Sequence, residues 1–147
     1  MALEMNVAIV LNWKAPVETL ACVESVLSFA PSIDHIVLVD NYSCDNSVSA
    51  FESWLKLNKT GCVHLVVSKF NSGYAGGNNL GLKYALDNIP EAKNFWILNN
   101  DTLVSDDAFE GLLGGLRKDD KGFYGSIILN SASGLVECYG GGGYIRF

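Results

Sequence analysis

The sequence is poor in charged residues, and especially in basic ones. Its 147 residues include 10 Lys and Arg against 16 Asp and Glu, which gives a formal net charge of -6 at pH 7. A chain that binds nucleic acid through its bulk charge carries an excess of basic residues, so we expect no nucleic-acid partner. An anionic ligand would need local backbone N–H donors or a bridging cation.

Patterns typical of metal-binding cysteines, signal peptides and membrane spans are also missing. No Cys-x-x-Cys pair is formed by the four cysteines, which are Cys22, Cys44, Cys62 and Cys138. We interpret them as free thiols, which suits a reducing compartment. The apolar run at 7–11 is too short for a membrane span and has no basic flank. We therefore expect a cytoplasmic protein, with peripheral association at the inner face of a membrane as an open alternative.

Apolar residues make up 49% of the chain and alternate between strand and helix patterns. Buried strands are predicted at 7–11, 36–39, 63–67 and 95–98, each followed by a helical pattern. This alternation is typical of a mainly parallel α/β sheet with helices on both faces. We expect one domain over residues 1–147, with a fifth strand at 123–129 and a hairpin around the glycines at 140–143.

Two helices and one loop are predicted in more detail. The first helix begins at Pro16 and ends before Pro31, and its apolar stripe is expected at Leu20, Val23, Leu27 and Ala30. A helix after the fourth strand is expected to be capped by Ser105, with a stripe of Phe109, Leu112, Leu113 and Leu116. Residues 71–79 are rich in Gly and Asn and are expected to form a loop.

Polar residues follow the predicted strands at their carboxyl ends. The first strand ends at Asn12, the second at Asp40, and the fourth at Asn99, Asn100 and Asp101. Ligands of open α/β sheets bind beyond the carboxyl ends of the strands, near a switch in strand order. This clustering is the main evidence from the residues for a binding site.

The two acidic residues of this set each have two interpretations. Asp40 can accept hydrogen bonds from a ligand's ring N–H or ribose hydroxyl, or it can cap the next turn with Asn41 and Ser43. The residues alone favour neither interpretation. Asp101 can offer oxygens to Mg²⁺ or Mn²⁺, which take their other ligands from phosphate and water. On spacing alone, a role as a turn cap with Thr102 is slightly favoured for Asp101.

The segment 71–79 is the third candidate feature. Gly73, Gly76 and Gly77 would let the backbone approach a ligand closely, and the helix that follows could favour a phosphate. It lacks the Gly-Lys-Ser/Thr of a P-loop and the glycine spacing of a dinucleotide-binding turn. The alternative is a tight loop with asparagine caps.

Four motifs, in this order, resemble family 2 glycosyltransferases. They are VAIVLNW at 7–13, IVLVDNYSCDNS at 36–47, NSGYAGGNNLGLKYAL at 71–86 and FWILNNDTLVSDDAF at 95–109. The resemblance covers nearly the whole chain, and the Asn-Asn-Asp version is most similar to the rhamnosyltransferase-like branch. It implies the GT-A fold, a Rossmann-like sheet that binds nucleoside diphospho-sugars.

The resemblance also implies roles for matching positions. Asn12 and Asp40 would contact the nucleotide, with Asp40 reading a pyrimidine base, and Asp101 would bind Mg²⁺ or Mn²⁺. The rest of the implied donor site consists of Asn71, Gly76, Gly77, Asn78 and Asn99. Because Asn99 stands where the family's Asp-x-Asp-type motif has its first aspartate, the cation would be held weakly until the sugar nucleotide arrives. We expect Asp40, Gly77 and Asp101 to converge on one pocket.

The reaction implied by the resemblance is inverting transfer. The donor would be a UDP- or dTDP-linked sugar, and the acceptor a saccharide or a lipid-linked acceptor of cell-wall or polysaccharide biosynthesis. Family members carry the general base in an acceptor-binding half, and no equivalent precedes Phe147. We therefore expect a truncated chain that binds donor weakly and transfers little alone.

Two other function classes compete with transfer. One is a non-catalytic α/β nucleotide-binding or interaction domain. The other is a nucleotidyltransferase, which would want a basic, glycine-rich loop after the first strand. Residues 12–16, Asn-Trp-Lys-Ala-Pro, contain no glycine, which counts against the nucleotidyltransferase.

Overall fold

The computed structural model describes residues 4–105, 107–116 and 122–139. The chain divides into two compact units, Met1–Ser105 and Asp106–Phe147. Among the described residues, no helix combines the length and the apolar character needed to cross a membrane.

The first unit is built around a four-stranded parallel sheet. Its strands are β1 (Met5–Asn12), β2 (His35–Asp40), β3 (Val63–Val67) and β4 (Ala92–Asn99), and its helices are α1 (Pro16–Phe29), α2 (Ser47–Asn58) and α3 (Gly73–Asn88). The strand order is β3-β2-β1-β4, so the chain builds outward from β1 and then returns to place β4 on the other side of β1. The order therefore reverses between β1 and β4, and the predicted parallel sheet is confirmed.

Helices cover both faces of this sheet, as predicted. Alternate residues of β1 and β2 pack against Ala85 and Ile89 of α3, in a cluster with Val7, Ile9, Leu11, Val37 and Val39. Successive strand residues point to opposite faces, so Asn12 faces the other side, where it contacts α1. Helix α2 lies against α1 and β3. Burial on both faces explains why the strands read as continuous apolar runs.

The predicted loop at 71–79 is wrong, because most of it forms the first two turns of α3. Helix α3 begins at Gly73, which has a φ of 70°. A Cβ on Gly77 would lie 2.4 Å from Leu11 Cδ1, and one on Gly81 would lie 2.6 Å from Ile9 Cγ2. Gly is unfavourable in a helix by about 1 kcal/mol relative to Ala, but here it lets the helix axis approach the sheet. Close packing has overridden local propensity.

The predicted apolar stripe of α1 is also partly wrong. Val23 and Ala30 are buried, but Leu27 is 38% exposed. The buried residues of α1 are Thr19, Cys22, Val23, Ser25 and Val26. Thr19 and Ser25 are polar yet buried, because they hydrogen-bond to neighbouring chain segments, as described below.

The second unit holds α4 (Ala108–Leu116) and an antiparallel pair, β5 (Ile127–Leu129) and β6 (Val136–Tyr139). The predicted fifth strand is therefore part of a two-stranded sheet and not of the parallel one. Helix α4 begins at Ala108, and the cap by Ser105 stays a prediction. Phe109 and Leu113 are buried as predicted. Asp106, the side chain of Leu116 and the hairpin predicted around 140–143 lie outside the described residues.

Candidate functional site

A cleft of about 400 Å³ opens at the carboxyl ends of the parallel strands. It lies at the ends of β1 and β4, where the strand order reverses, which is where open α/β sheets bind ligands. Its lining residues come from the ends of β1, β2 and β4 and from the start of α3: Leu11, Trp13, Asn41, Asn71, Gly73, Tyr74, Asn99, Asn100 and Asp101.

A buried polar network lies at the ends of β1 and β2. Asn12 is fully buried and Asp40 is 1% exposed. Asn12 Nδ2 donates to Asp40 Oδ1 at 2.7 Å and to Ser43 Oγ at 3.0 Å. The Ser43 hydroxyl donates to Asp40 Oδ1 at 2.5 Å, and the Ser43 N–H donates to Asp40 Oδ2 at 3.0 Å. Both carboxylate oxygens therefore have partners within the protein.

This geometry supports the interpretation of Asp40 as the cap of the turn after β2, with Ser43 as its partner. Asn12 Oδ1 is occupied as well, since it accepts from Thr19 Oγ1 at 2.8 Å and from Ala15 N at 3.3 Å. Neither Asn12 nor Asp40 lines the cleft.

Asn41 joins the end of β2 to the start of α3. Its Nδ2 donates to Asn71 Oδ1 and to the Gly73 carbonyl, each at 3.1 Å. Its Oδ1 accepts the Ser72 N–H at 3.1 Å, and Asn71 Oδ1 also accepts the Gly73 N–H at 2.9 Å. The side chain of Asn41 is 3% exposed and fixes the wall of the cleft formed by residues 71–73.

Asp101 differs from these residues because its side chain is exposed and lines the cleft. Within the described part of the chain, its carboxylate makes no hydrogen bond or ion pair. Asn99 and Asn100 precede it along the same wall. Carboxylate and amide oxygens suit hard divalent cations, so this donor set fits Mg²⁺ or Mn²⁺.

The cation fit depends on ligands from outside the protein. Among the described residues, no group of three or more His, Cys, Asp or Glu side chains is placed to hold a metal ion. A cation at Asp101 would therefore take most of its ligands from a bound diphosphate and water, as Mg²⁺ commonly does.

Cys22, a buried residue of α1, contacts the chain just before Asp101. Burial, with a smaller contribution from the Asp101 carboxylate, raises the pKa of the Cys22 thiol to about 12. The thiol therefore stays protonated at neutral pH and can donate to the Asn99 carbonyl, 3.6 Å away.

The predicted residues Gly76, Gly77 and Asn78 do not line the cleft. A Cβ on Gly76 would meet the Ser72 side chain, and Gly77 faces Leu11. Asn78 is 4% exposed, and its Nδ2 donates to the Tyr74 carbonyl at 3.0 Å. Its Oδ1 has no hydrogen-bond partner in the described part of the structure. These residues pack α3 onto the sheet.

The structure thus brings together only part of the predicted site. Asn71, Asn99 and Asp101 line one cleft, but the expected convergence of Asp40, Gly77 and Asp101 is not found, since only Asp101 reaches it. Asn41 and Tyr74 also line the cleft, and neither was predicted to do so from the sequence. The signal for Asn41 was its position immediately after a buried strand, next to Asp40.

The turns after β1 and β2 contain unusual backbone conformations. Lys14, Tyr42 and Cys44 have φ angles of 57°, 61° and 56°, in the left-handed region that non-glycine residues seldom adopt. Lys14 N donates to Ser43 Oγ at 3.0 Å, so this hydrogen bond links the two turns. Such strain is typical of functional sites held by surrounding contacts.

Aromatic side chains and one lysine stand at the cleft. Trp13 is 53% exposed and Tyr74 is 59% exposed, and both line the cleft. Lys14 Nζ lies 5.1 Å from the Trp13 ring centroid, within cation–π range. The cleft therefore offers flat apolar surfaces, and a positive charge lies beside one of them.

Comparison with known sequences gives a consistent match. The profile of the family described as glycosyl transferase family 2 matches residues 8–137. The low-salt glycan biosynthesis hexosyltransferase Agl10 of Haloferax volcanii is 28% identical over 97 residues, which are 66% of this chain and 28% of that protein. The chain therefore spans about a quarter of the length of this curated relative.

Solved structures share the fold at low sequence identity. The mannosyltransferase PcManGT from Pyrobaculum calidifontis, in complex with GDP-Man and Mn²⁺, aligns with a TM-score of 0.69 and 18% identity over 87% of this chain and 36% of that one. GalNAc-T7 with UDP, GalNAc and Mn²⁺ aligns with a TM-score of 0.66 and 18% identity, over 80% of this chain and 22% of that one. S. aureus TarS 1-349 aligns with a TM-score of 0.61 and 17% identity, over 86% of this chain and 39% of that one.

Proposed function

Because this chain belongs to glycosyl transferase family 2, we propose that it binds the donor for glycosyl transfer, a UDP- or dTDP-linked sugar. The observation that carries the proposal is the cleft at the reversal of strand order, where the free carboxylate of Asp101 lies beside Asn99 and Asn100. That carboxylate would bind a divalent cation that also contacts the diphosphate. The exposed faces of Trp13 and Tyr74 would pack against the nucleoside.

Asp101 would hold the cation, Mg²⁺ or Mn²⁺, together with diphosphate oxygens and water. When bound, the cation neutralises the diphosphate and stabilises it as a leaving group. The chain's own contribution is to place Asp101 at the cleft and to hold the opposite wall, residues 71–73, through Asn41. Support for a cation also comes from two structures of similar fold that contain Mn²⁺, PcManGT and GalNAc-T7.

A pyrimidine-reading role for Asp40 would require a change in its hydrogen bonds. Both oxygens already accept from Asn12 or Ser43, so a base N–H would have to replace one of the Ser43 contacts. Asp40 is the end residue of β2, and its position beside the cleft wall at Asn41 makes that exchange local.

The rest of the reaction is also part of the proposal. We propose inverting transfer to a saccharide or lipid-linked acceptor, in which a carboxylate outside these 147 residues deprotonates the acceptor hydroxyl. The chain would then bind donor alone and transfer little. Rhamnosyl specificity, a role in cell-wall or polysaccharide biosynthesis and a cytoplasmic location, with peripheral contact to the inner face of a membrane, belong to the same proposal.

A non-catalytic nucleotide-binding or interaction domain is the second candidate. The observation that favours it is that Asp101 is the single carboxylate among the described residues that line the cleft, since a domain that lost the chemistry would also have lost acidic ligands. The two candidates differ in whether nucleotide binding depends on metal.

Calorimetry separates them. We expect UDP or dTDP to bind more tightly with Mn²⁺ than without, and Asp101→Ala to abolish that difference, because the variant removes the carboxylate that would hold the cation. Asp40→Ala should weaken nucleotide binding in both metal conditions. Asp87→Ala is the matched control, since Asp87 is exposed on α3 and, among the described residues, pairs with Lys83 alone, at 2.8 Å.

Nucleotide binding that ignores both Mn²⁺ and Asp101 would favour the non-catalytic domain. Steady acceptor-dependent release of nucleoside diphosphate by these 147 residues would refute the proposal that they transfer little alone.

A further inference from the structure

Helix α1 buries a row of polar residues spaced three apart. Thr19 is fully buried, Cys22 is fully buried and Ser25 is 8% exposed. Residues three apart lie along one ridge of a helix surface. Buried polar groups cost free energy unless they are hydrogen-bonded. Their hydrogen-bond partners therefore show which chain segment this ridge contacts.

All three residues contact the connection that follows β4. Asn100 Nδ2 donates to Thr19 Oγ1 at 2.9 Å. The Cys22 thiol donates to the Asn99 carbonyl at 3.6 Å. The Val104 N–H donates to Ser25 Oγ at 3.1 Å. Contacts on both sides of Asp101 thus fix residues 99–104 to α1, while the Asp101 carboxylate remains exposed.

We propose that Thr19, Cys22 and Ser25 are positioning residues for the cation-binding segment, and that this ridge of α1 sets the place of the Asp101 carboxylate in the cleft. The inference rests on the proposed function. A single carboxylate can share a cation with a diphosphate only if it stands at the right distance before the ligand arrives. Residues that orient metal ligands change metal affinity by about tenfold or more when they are removed.

Thr19 and Ser25 each have an intrahelical acceptor, which for the Thr19 hydroxyl is the Ala15 carbonyl at 2.7 Å, but Thr19 has a further partner that Ser25 lacks. Its hydroxyl lies 2.8 Å from Asn12 Oδ1, and Asn12 in turn donates to Asp40. Loss of the Thr19 hydroxyl should therefore affect the Asp40 end of the site as well as the Asp101 end. Loss of the Ser25 hydroxyl should affect the Asp101 end alone.

The first test compares two Ser→Ala variants of the full chain. Ser25→Ala removes the acceptor for Val104 N–H together with an intrahelical bond to the Cys22 carbonyl at 2.7 Å. Ser53→Ala removes only an intrahelical bond, to the Ser49 carbonyl at 2.7 Å. With Mn²⁺ titrated into the protein–UDP mixture, we expect Ser25→Ala to lower Mn²⁺ affinity about tenfold and to leave metal-free UDP affinity unchanged. Ser53→Ala should match the wild type in both.

The second test uses the conservative variant at Thr19. Thr19→Val keeps the shape but loses the hydroxyl, and we expect it to weaken both Mn²⁺ affinity and metal-free UDP affinity. Thr19→Ser keeps the hydroxyl and should restore both. Val23→Ala, a core truncation on the same helix, should lower the melting temperature while leaving Mn²⁺ affinity unchanged, so a purely structural effect is distinguishable.

The outcomes separate this inference from the proposed function. If wild-type protein shows no Mn²⁺-dependent UDP binding, the proposed function fails, and the inference fails with it. If wild type binds in a Mn²⁺-dependent way but Ser25→Ala and Thr19→Val behave like Ser53→Ala and Val23→Ala, the positioning role alone is overturned.

Discussion

Asp101 and Asn41 line the same cleft but differ in how their side chains are used. The Asp101 carboxylate is exposed and makes no hydrogen bond within the described residues, whereas the Asn41 amide is buried and uses both its donor and its acceptor. A free group at a cleft is available to a ligand, and a satisfied one maintains the wall. Substitutions at the two positions should therefore be read by different measurements.

Asn41→Ala should act on stability. It removes the hydrogen bonds to the part-buried Ser72 N–H and Gly73 carbonyl, and a typical intramolecular hydrogen bond contributes about 0.5–1.5 kcal/mol. We expect the free energy of unfolding in urea to fall by that amount. Asn58→Ala is the control, because Asn58 is exposed and its Nδ2 donates only to the Trp54 carbonyl. Equal stability of the two variants would contradict the role given to Asn41.

At the scale of elements, the glycines of α3 allow close packing of the helix against the sheet. Gly77 and Gly81 face Leu11 and Ile9 so closely that neither position has room for a Cβ. A Cβ at either position would force a neighbouring sheet side chain to shift, so glycine at these positions lets the helix that carries Tyr74 lie close to the sheet.

Gly77→Ala should destabilise the chain. The new Cβ would lie 2.4 Å from Leu11 Cδ1, and overpacking of this kind costs about 1–3 kcal/mol. Gly111→Ala in α4 is the matched control, since nothing lies within 4 Å of a Cβ there and Ala is the better helix former. Thermal unfolding should show a lower melting temperature for the first variant and an unchanged or higher one for the second.

The elements were predictable where one signal dominated. The strand at Val63–Val67 was predicted with its observed bounds, because a run of apolar residues leaves no other assignment. The prediction of a loop at 71–79 was wrong because the glycines there let α3 pack closely against the sheet, and local helix propensity does not show that packing. The stripe of α1 was misassigned since Thr19 and Ser25 look like surface residues until their partners on the β4 connection are known.

The site was predictable to the extent that strand ends define it. Asn99 and Asp101 follow β4 directly, and the topology brings them to the cleft. Asp40 also ends a strand, yet its side chain points to the α1 face and is satisfied there by Asn12 and Ser43. Which face a strand-end residue takes depends on register, and the sequence alone did not distinguish the two interpretations.

At the scale of the whole molecule, a histidine pair links stability to pH. His64 Nε2 lies 3.1 Å from His35 Nδ1, and Tyr84 Oη lies 3.4 Å from His64 Nδ1. Burial, and then the neighbouring His35, lowers the pKa of His64 below its usual 6.5. Because the folded state binds this proton less readily than the unfolded state, the stabilisation is complete above the unfolded pKa and is lost as pH falls through 6.5 toward the folded pKa.

We expect the melting temperature to be lower at about pH 5.5 than at about pH 7.5, and His64→Gln to reduce that difference. Differential scanning calorimetry at both pH values is the measurement. The Lys83–Asp87 pair is exposed on the same helix as Tyr84, so Lys83→Ala serves as a control with an unaltered pH dependence. A His64→Gln variant with the full wild-type dependence would show that other groups set it.

The left-handed residues in the turns around Ser43 bear on how this chain could be engineered. A non-glycine residue in that conformation costs about 1 kcal/mol, so glycine at Lys14, Tyr42 or Cys44 would relieve strain. The same change at Lys14 would remove the positive charge over Trp13. Glycine at residue 14 would therefore gain stability and lose the cation–π contact with a cleft-lining ring, so a variant selected for heat resistance would have an altered cleft surface.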